Sequence, residues 1–320
     1  MAKLPKLLES KIYKSGQTRG ADDDVIYQNR VNRNNTVLIP YHVWIRDENL
    51  RNTYFENGYI VLINPSDYYA LDDPEETLSQ YSLTLGENCL LFYETRNDWN
   101  THNPYDAGLS VPVQRRNPLG GEFVARVPAT TSAEDGGKIN IGYTETSMKG
   151  AGIRLYEYAS SLIMQRCRLQ LEAEFWLCED SLEVVQEFGM TREDAEERKN
   201  DCLEKCERGG LLDYDKMIQN RIIDSNHNTI CPLCLARLSG YGFFNRMPQA
   251  EGREVPDLTV TEINLFHIDE LKYGMFNHKP YNLGWGHHHC NVVVKDAGIE
   301  NTIEWLKEVL ERNGMTVTRN

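Results

Sequence analysis

Two pairs of soft ligands stand out in the last third of the chain, Cys231-Pro232-Leu233-Cys234 and His287-His288-His289-Cys290. In each pair the two intervening residues let a tight turn aim both side chains at one ion. Thiolate with imidazole is the donor set of closed, tetrahedral zinc sites. His287 is chosen over His288 and His289 because it gives the second pair the spacing of the first. Four protein ligands leave no open coordination position, so Zn2+ held by Cys231, Cys234, His287 and Cys290 would be structural. The 52 residues between the pairs are too many for a compact finger and suit a hairpin tied at both ends.

Inside this staple runs Leu265-Phe266-His267-Ile268-Asp269-Glu270-Leu271, and Asn282-Leu283 precedes the His287-x2-Cys290-Asn291 turn. Over Cys231–Lys295, about 65 residues, the segment resembles the HNH, or ββα-metal, endonucleases. That resemblance implies His267 as general base at the end of a first strand. It implies Asn282 as the residue that orients the base or fixes the hairpin, and Asn291 as a ligand of a catalytic cation. The chemistry agrees with the residue types. Phosphodiester hydrolysis needs a neutral imidazole to take a proton from water. It also needs a hard divalent cation, Mg2+ by default in an oxygen-rich site, to meet the charge on phosphate. The family usually carries a metal-ligating Asp, Glu or His just before the base, and here Phe266 stands there. If the strand continues, Asp269 shares the face of His267 and is the substitute ligand. In a rival register Asp269 is the usual ligand and Glu270 occupies the place of the base. Lys295, one helical turn after Asn291, is a candidate phosphate contact.

The elements that must hold this site follow from the patterning. Ile299, Ile303, Leu306, Val309 and Leu310 form a helical stripe expected to pack on the module. Upstream, Ile153 to Phe175 has helical spacing, and Thr191-Arg192-Glu193-Asp194 reads as an N-cap opening a helix that Gly209-Gly210 ends. Cys202 and Cys206 on that helix, with Cys89, Cys167 and Cys178, read as packed thiols. Residues 36–148 alternate short β-branched and aromatic runs with turn residues, which predicts a β-rich unit. The chain is thus expected to be α+β, with a β-rich DNA-recognition domain over 1–150, a helical connecting or dimerising region over 151–222 and the zinc-stapled nuclease domain over 223–320. Gln28, Asn29, Arg30 and Arg33 are candidates for reading base edges, and Arg115 and Arg116 for gripping phosphate.

The formal charge of −14 disfavours indiscriminate nucleic-acid binding and leaves room for a local basic face. Its acidity is concentrated in 161–220, with 15 Asp and Glu against 8 Lys and Arg. No run approaches a membrane span, and the start, MAKLPKLLESK, lacks the apolar core of a secretory signal. A cytoplasmic protein is expected, with cysteines as ligands or buried thiols and no disulfides. One nuclease module on some 220 further residues resembles a type II restriction endonuclease. This implies double-stranded DNA as partner and a homodimer with one module per strand. Two alternatives stand beside it: an HNH enzyme that requires a modified base, and a zinc-stabilised DNA-binding regulator without catalysis.

Overall fold

The computed structural model describes residues 2–15, 36–110, 121–127, 139–141, 153–155, 158–245, 261–271, 276–294 and 297–315. The chain divides into two units. One comprises Met1–Gln17 with Ser161–Asn320, the other Thr18–Ser160. The boundary expected near 150 therefore falls at 160. The first helix, α1 (Lys6–Ser15), belongs with the C-terminal unit, and the helical stretch after 160 shares that unit as well.

In the unit over 18–160, β1 (Val37–Pro40), β2 (Tyr59–Ile63), β3 (Cys89–Tyr93), β4 (Phe123–Val127), β5 (Ile139–Ile141) and β6 (Ile153–Arg154) form one sheet in the order β5-β4-β3-β2-β1-β6. β1 pairs in parallel with β2 and β6, and β3 with β2 and β4, while β5 runs antiparallel to β4. The strands lie where the apolar runs placed them. The β-rich expectation is corrected, however, by short helices between them: α2 (Tyr41–Arg46), α3 (Glu48–Arg51), α4 (Pro65–Tyr69), α5 (Pro74–Gln80) and α6 (Arg96–Thr101). Parallel strands cannot be joined by tight hairpins, so the connections must cross a face of the sheet. Both faces are accordingly apolar. Val37, Ile39, Val61, Ile63, Leu91 and Tyr93 pack on one side, and Leu38, Ile60, Leu90 and Phe92 on the other.

The other unit is a helical frame around a hairpin. It adds α7 (Ser161–Trp176), α8 (Ser181–Glu187), α9 (Arg192–Arg208) and α10 (Tyr214–Gln219) to α1. Thr191 caps α9 as its spacing predicts, its hydroxyl accepting from Asp194 N at 3.1 Å. The hairpin is β7 (Ile263–His267) with β8 (Leu283–His287), antiparallel and in the register Ile263↔His287 and His267↔Leu283. α11 (His288–Val294) follows β8 without a break, and α12 (Ile299–Arg312) comes after it. α7 is buried along most of its length and backs the hairpin. Its Leu171 carbonyl accepts from Trp285 Nε1 at 2.9 Å, and Gln170 Oε1 accepts from Tyr281 N at 2.7 Å. α12 departs from expectation. It buries Ile299 and Thr302, but leaves Ile303, Trp305 and Leu310 exposed, so the stripe packs at its first turn and not along its length. The mixed helix-and-strand class expected for the chain holds. No described helix is long and apolar enough to cross a membrane.

Candidate metal centre and active site

The Cys231-x2-Cys234 turn is shaped by the chain itself. Cys231 O accepts from Leu235 N at 2.9 Å, and Leu235 takes a positive φ of 60° to close the turn. Cys231 N donates to Ala236 O at 2.9 Å, so the two thiols ride on a knuckle anchored at both sides. His287 ends β8, and Cys290 lies three residues on in α11. The ligand atoms of Cys231, Cys234, His287 and Cys290 all lie within 4.8 Å of one another. Cys234 Sγ and His287 Nδ1 are 3.4 Å apart. Burial raises the pKa of the Cys290 thiol, and the neighbouring Cys231 and Cys234 raise it further. Three thiols crowded in this way gain most from a cation that takes them as thiolates, which is the donor chemistry of a closed zinc site. The other two histidines of the run go elsewhere. His288 Nδ1 lies 3.0 Å from Asn264 Nδ2, and His289 is exposed with its ring stacked on His287 at 5.3 Å. Among the described residues no other set of three His, Cys, Asp or Glu converges in this way; Cys202 and Cys206 are buried with both thiols directed at Leu169 O.

The hairpin places His267 as the last residue of β7, half-buried. Its Nε2 is sealed from solvent and has no hydrogen-bond partner, whereas Nδ1 is not sealed in this way. Burial, and secondarily His278, lower its pKa to about 3, so the ring is neutral at neutral pH. Asn282 sits just before β8 and spends its whole amide on backbone. Nδ2 donates to Asp269 O at 2.9 Å and to Asn277 O at 2.7 Å, while Oδ1 accepts from Asp269 N at 2.6 Å. It fixes the hairpin, and none of these bonds goes to His267.

The remaining candidates are less closely gathered. Because β7 stops at His267, strand alternation does not extend to Asp269, which lies exposed in a bend. Phe266 is fully buried, and a Cβ on Gly286 across the hairpin would come within 2.7 Å of its ring. Asn291 is half-buried in α11. No hydrogen bond among the described residues joins Asp269 or Asn291 to His267. Glu270, the base of the rival register, is half-buried and points a carboxylate oxygen toward Gly298 at the start of α12. Lys295, Gln28, Asn29, Arg30, Arg33, Arg115 and Arg116 lie outside the described residues.

Two buried ionisable side chains escaped the sequence reading. Lys11 of α1 is 2% exposed, and its Nζ donates to Thr261 Oγ1 and Ile263 O at the start of β7. Burial brings its pKa down to about 7. Its position three residues after Leu8, on the Leu4-Leu8-Ile12 face, was the available signal. Glu174 of α7 is fully buried, and neither carboxylate oxygen has a partner. The stretch Leu169–Cys178 has too little polar contrast to reveal on which side Glu174 lies.

The likeness to known proteins is uneven. A crystal structure of a type II restriction endonuclease is similar at 15% identity and a TM-score of 0.28, over 50% of this chain and 59% of that one. The chain thus spans less than two thirds of that protein. No curated protein matches it. A family model matches across most of the length, residues 10–288, and by that match the chain belongs to the BstXI restriction endonuclease family.

Proposed function

We propose that the chain is a type II DNA endonuclease that hydrolyses phosphodiester bonds at an HNH-like centre built on β7, β8 and α11. Family membership supports the substrate class. The observation that carries the chemistry is the state of His267: a neutral imidazole at a strand end, one nitrogen sealed and the other open. Nδ1 takes a proton from water, the hydroxide adds to phosphorus, the ester P–O bond breaks, and the leaving oxygen is protonated from solvent.

Zn2+ is the proposed ion of the Cys231, Cys234, His287 and Cys290 cluster, in a structural role. For the catalytic cation Phe266 offers no donor, and Asp269 and Asn291 are the proposed oxygen ligands. When bound there, Mg2+ would supply positive charge to the phosphate. The unit over 18–160 is proposed to read the target, with Gln28, Asn29, Arg30, Arg33, Arg115 and Arg116 as contacts and Lys295 against a phosphate. A homodimer would address the two strands.

Plasmid DNA incubated with the protein and Mg2+ should give discrete fragments, and EDTA should abolish them. His267→Ala should lower the cleavage rate by about 10²–10⁴, the usual contribution of a general base, with DNA binding and zinc content retained. Cleavage at the wild-type rate by that variant would move the base to another residue. No cleavage by the wild type under any divalent metal would end the nuclease reading.

A further inference from the structure

We propose that His278 is the positioning residue of His267: its imidazole accepts the Nε2–H of His267 and so holds that ring in the tautomer that leaves Nδ1 bare toward solvent. The proposal rests on the nuclease reading, and it explains a part of the site that the HNH-like residues do not.

A general base needs its free lone pair on the substrate side, and in imidazole the other nitrogen must then carry the proton and find an acceptor. His267 Nε2 is sealed inside the hairpin without a hydrogen bond, an arrangement that costs free energy unless a partner is within reach. Asn282 does not bond it: the three hydrogen bonds of its amide go to the backbone of Asp269 and Asn277. The ring that faces His267 is His278. The two centroids are 5.7 Å apart and the planes are inclined at 52°, so a rotation with a closer approach of about half an ångström brings N–H···N into range.

His278 is 1% exposed, and the backbone that carries it is pinned beside it. Asn282 Nδ2 holds Asn277 O, and Asn277 Nδ2 donates to Glu270 O at 2.8 Å. Asn282 therefore reaches the base through the loop: it fixes Asn277, Asn277 carries His278, and His278 meets His267. When water gives its proton to Nδ1, the new imidazolium keeps its Nε2–H on a neutral acceptor, in a place where an unpaired charge would be expensive.

The test compares the wild type with His278→Phe, which keeps the ring and removes the acceptor, and with His278→Asn, which restores a side-chain carbonyl. Under single turnover with saturating DNA, H278F should cut about 10–100-fold more slowly, the usual range for a residue that orients a ligand or base. Its affinity for DNA and its zinc content should be unchanged, and H278N should recover most of the rate. Long-range 1H–15N spectra of the ring nitrogens should show His267 as the Nε2–H tautomer in the wild type and as a mixture in H278F. Wild-type cutting by H278F, an H278N variant as slow as H278F, or an Nδ1–H ring on wild-type His267 would each overturn the proposal. The tautomer measurement decides even if H278F fails to fold. It also separates this idea from the nuclease reading, whose own failure would show as no cleavage by the wild type under any divalent metal.

Discussion

The two sheets of this protein are stabilised in different ways. The six-stranded sheet over 18–160 rests on apolar burial of both faces, and Cys89–Tyr93 is buried at every position. The hairpin β7–β8 has two strands, a number that is marginal in water without outside support. Ile263, Phe266, Leu283 and Trp285 of the hairpin join the apolar core of their unit, and polar, specific supports are added to that burial. Lys11 holds the start of β7, Asn282 holds its far end, Trp285 and Tyr281 bond to α7, and the Cys231, Cys234, His287 and Cys290 cluster brings β8 and α11 together with the Cys231 knuckle. Apolar burial is non-directional and gives stability, whereas directed hydrogen bonds and ligands fix geometry. The region that must present His267 in one orientation adds the second kind to the first.

That contrast is broken most severely at the cluster. Cys231→Ser, or prolonged chelation, should remove about one zinc per chain and with it most of the folding free energy of the hairpin, since zinc contributes on the order of 10 kcal/mol in small metal-dependent folds. Hydrogen exchange should show residues 263–294 losing protection while β1–β4 keep theirs. Equal loss in both sheets, or full zinc retention in C231S, would show that the contrast is misplaced.

What could be read in the chain follows the same division. The cluster was legible because ligand pairs at x2 spacing are local and chemically explicit, and all four ligands named from spacing converge. The strands of the large sheet were legible as apolar runs, but the helices between them were not. At four to seven residues α2–α6 are too short to show a 3.6-residue period. The unbroken apolar character of Cys89–Tyr93 was the sign of a parallel strand, since a strand of a one-sided antiparallel sheet would alternate. Asp269 was misplaced on a strand face because nothing local announces that β7 ends at His267; the stop is imposed by Asn282, 13 residues away. The role of Lys11 depends on partners 250 and 252 positions distant, which no local pattern encodes.

Asn282→Ala sharpens the comparison at a single side chain. It deletes three hydrogen bonds and leaves Asp269 N, Asp269 O and Asn277 O without their partner inside the hairpin loop. A loss of about 2–4 kcal/mol is expected, because each buried backbone group left unsatisfied costs about 1–3 kcal/mol and water can reach some of them. Urea unfolding measures the loss. An effect below about 1 kcal/mol would mean that the loop relaxes, and that Asn282 does not fix the hairpin.

The smallest effect has the opposite sign. Glu174 lies behind β8, with its Oε2 3.9 Å from where a Cβ on Gly284 would sit, and Ile222 and Pro232 border the same spot. Burial, with a smaller contribution from Cys206, raises its pKa well above the ordinary 4.5, so the folded protein holds the proton to higher pH than the unfolded chain does. Above pH 4.5 the unfolded chain releases that proton and the folded chain does not. Stability therefore falls as pH rises from there toward the folded-state pKa, by at most about 1.4 kcal/mol per pH unit. Glu174→Gln keeps the shape and cannot ionise, so it abolishes this slope. Its stability relative to the wild type should be lowest below pH 4.5 and should climb as pH rises from there, whatever the offset from burying an amide. Paired urea titrations at pH 4.5, 6 and 8 measure the trend. A difference that stays flat or shrinks with pH would mean that Glu174 is ionised in the fold and that a cation reaches it, which would put a charged support behind the hairpin where the structure has a neutral one.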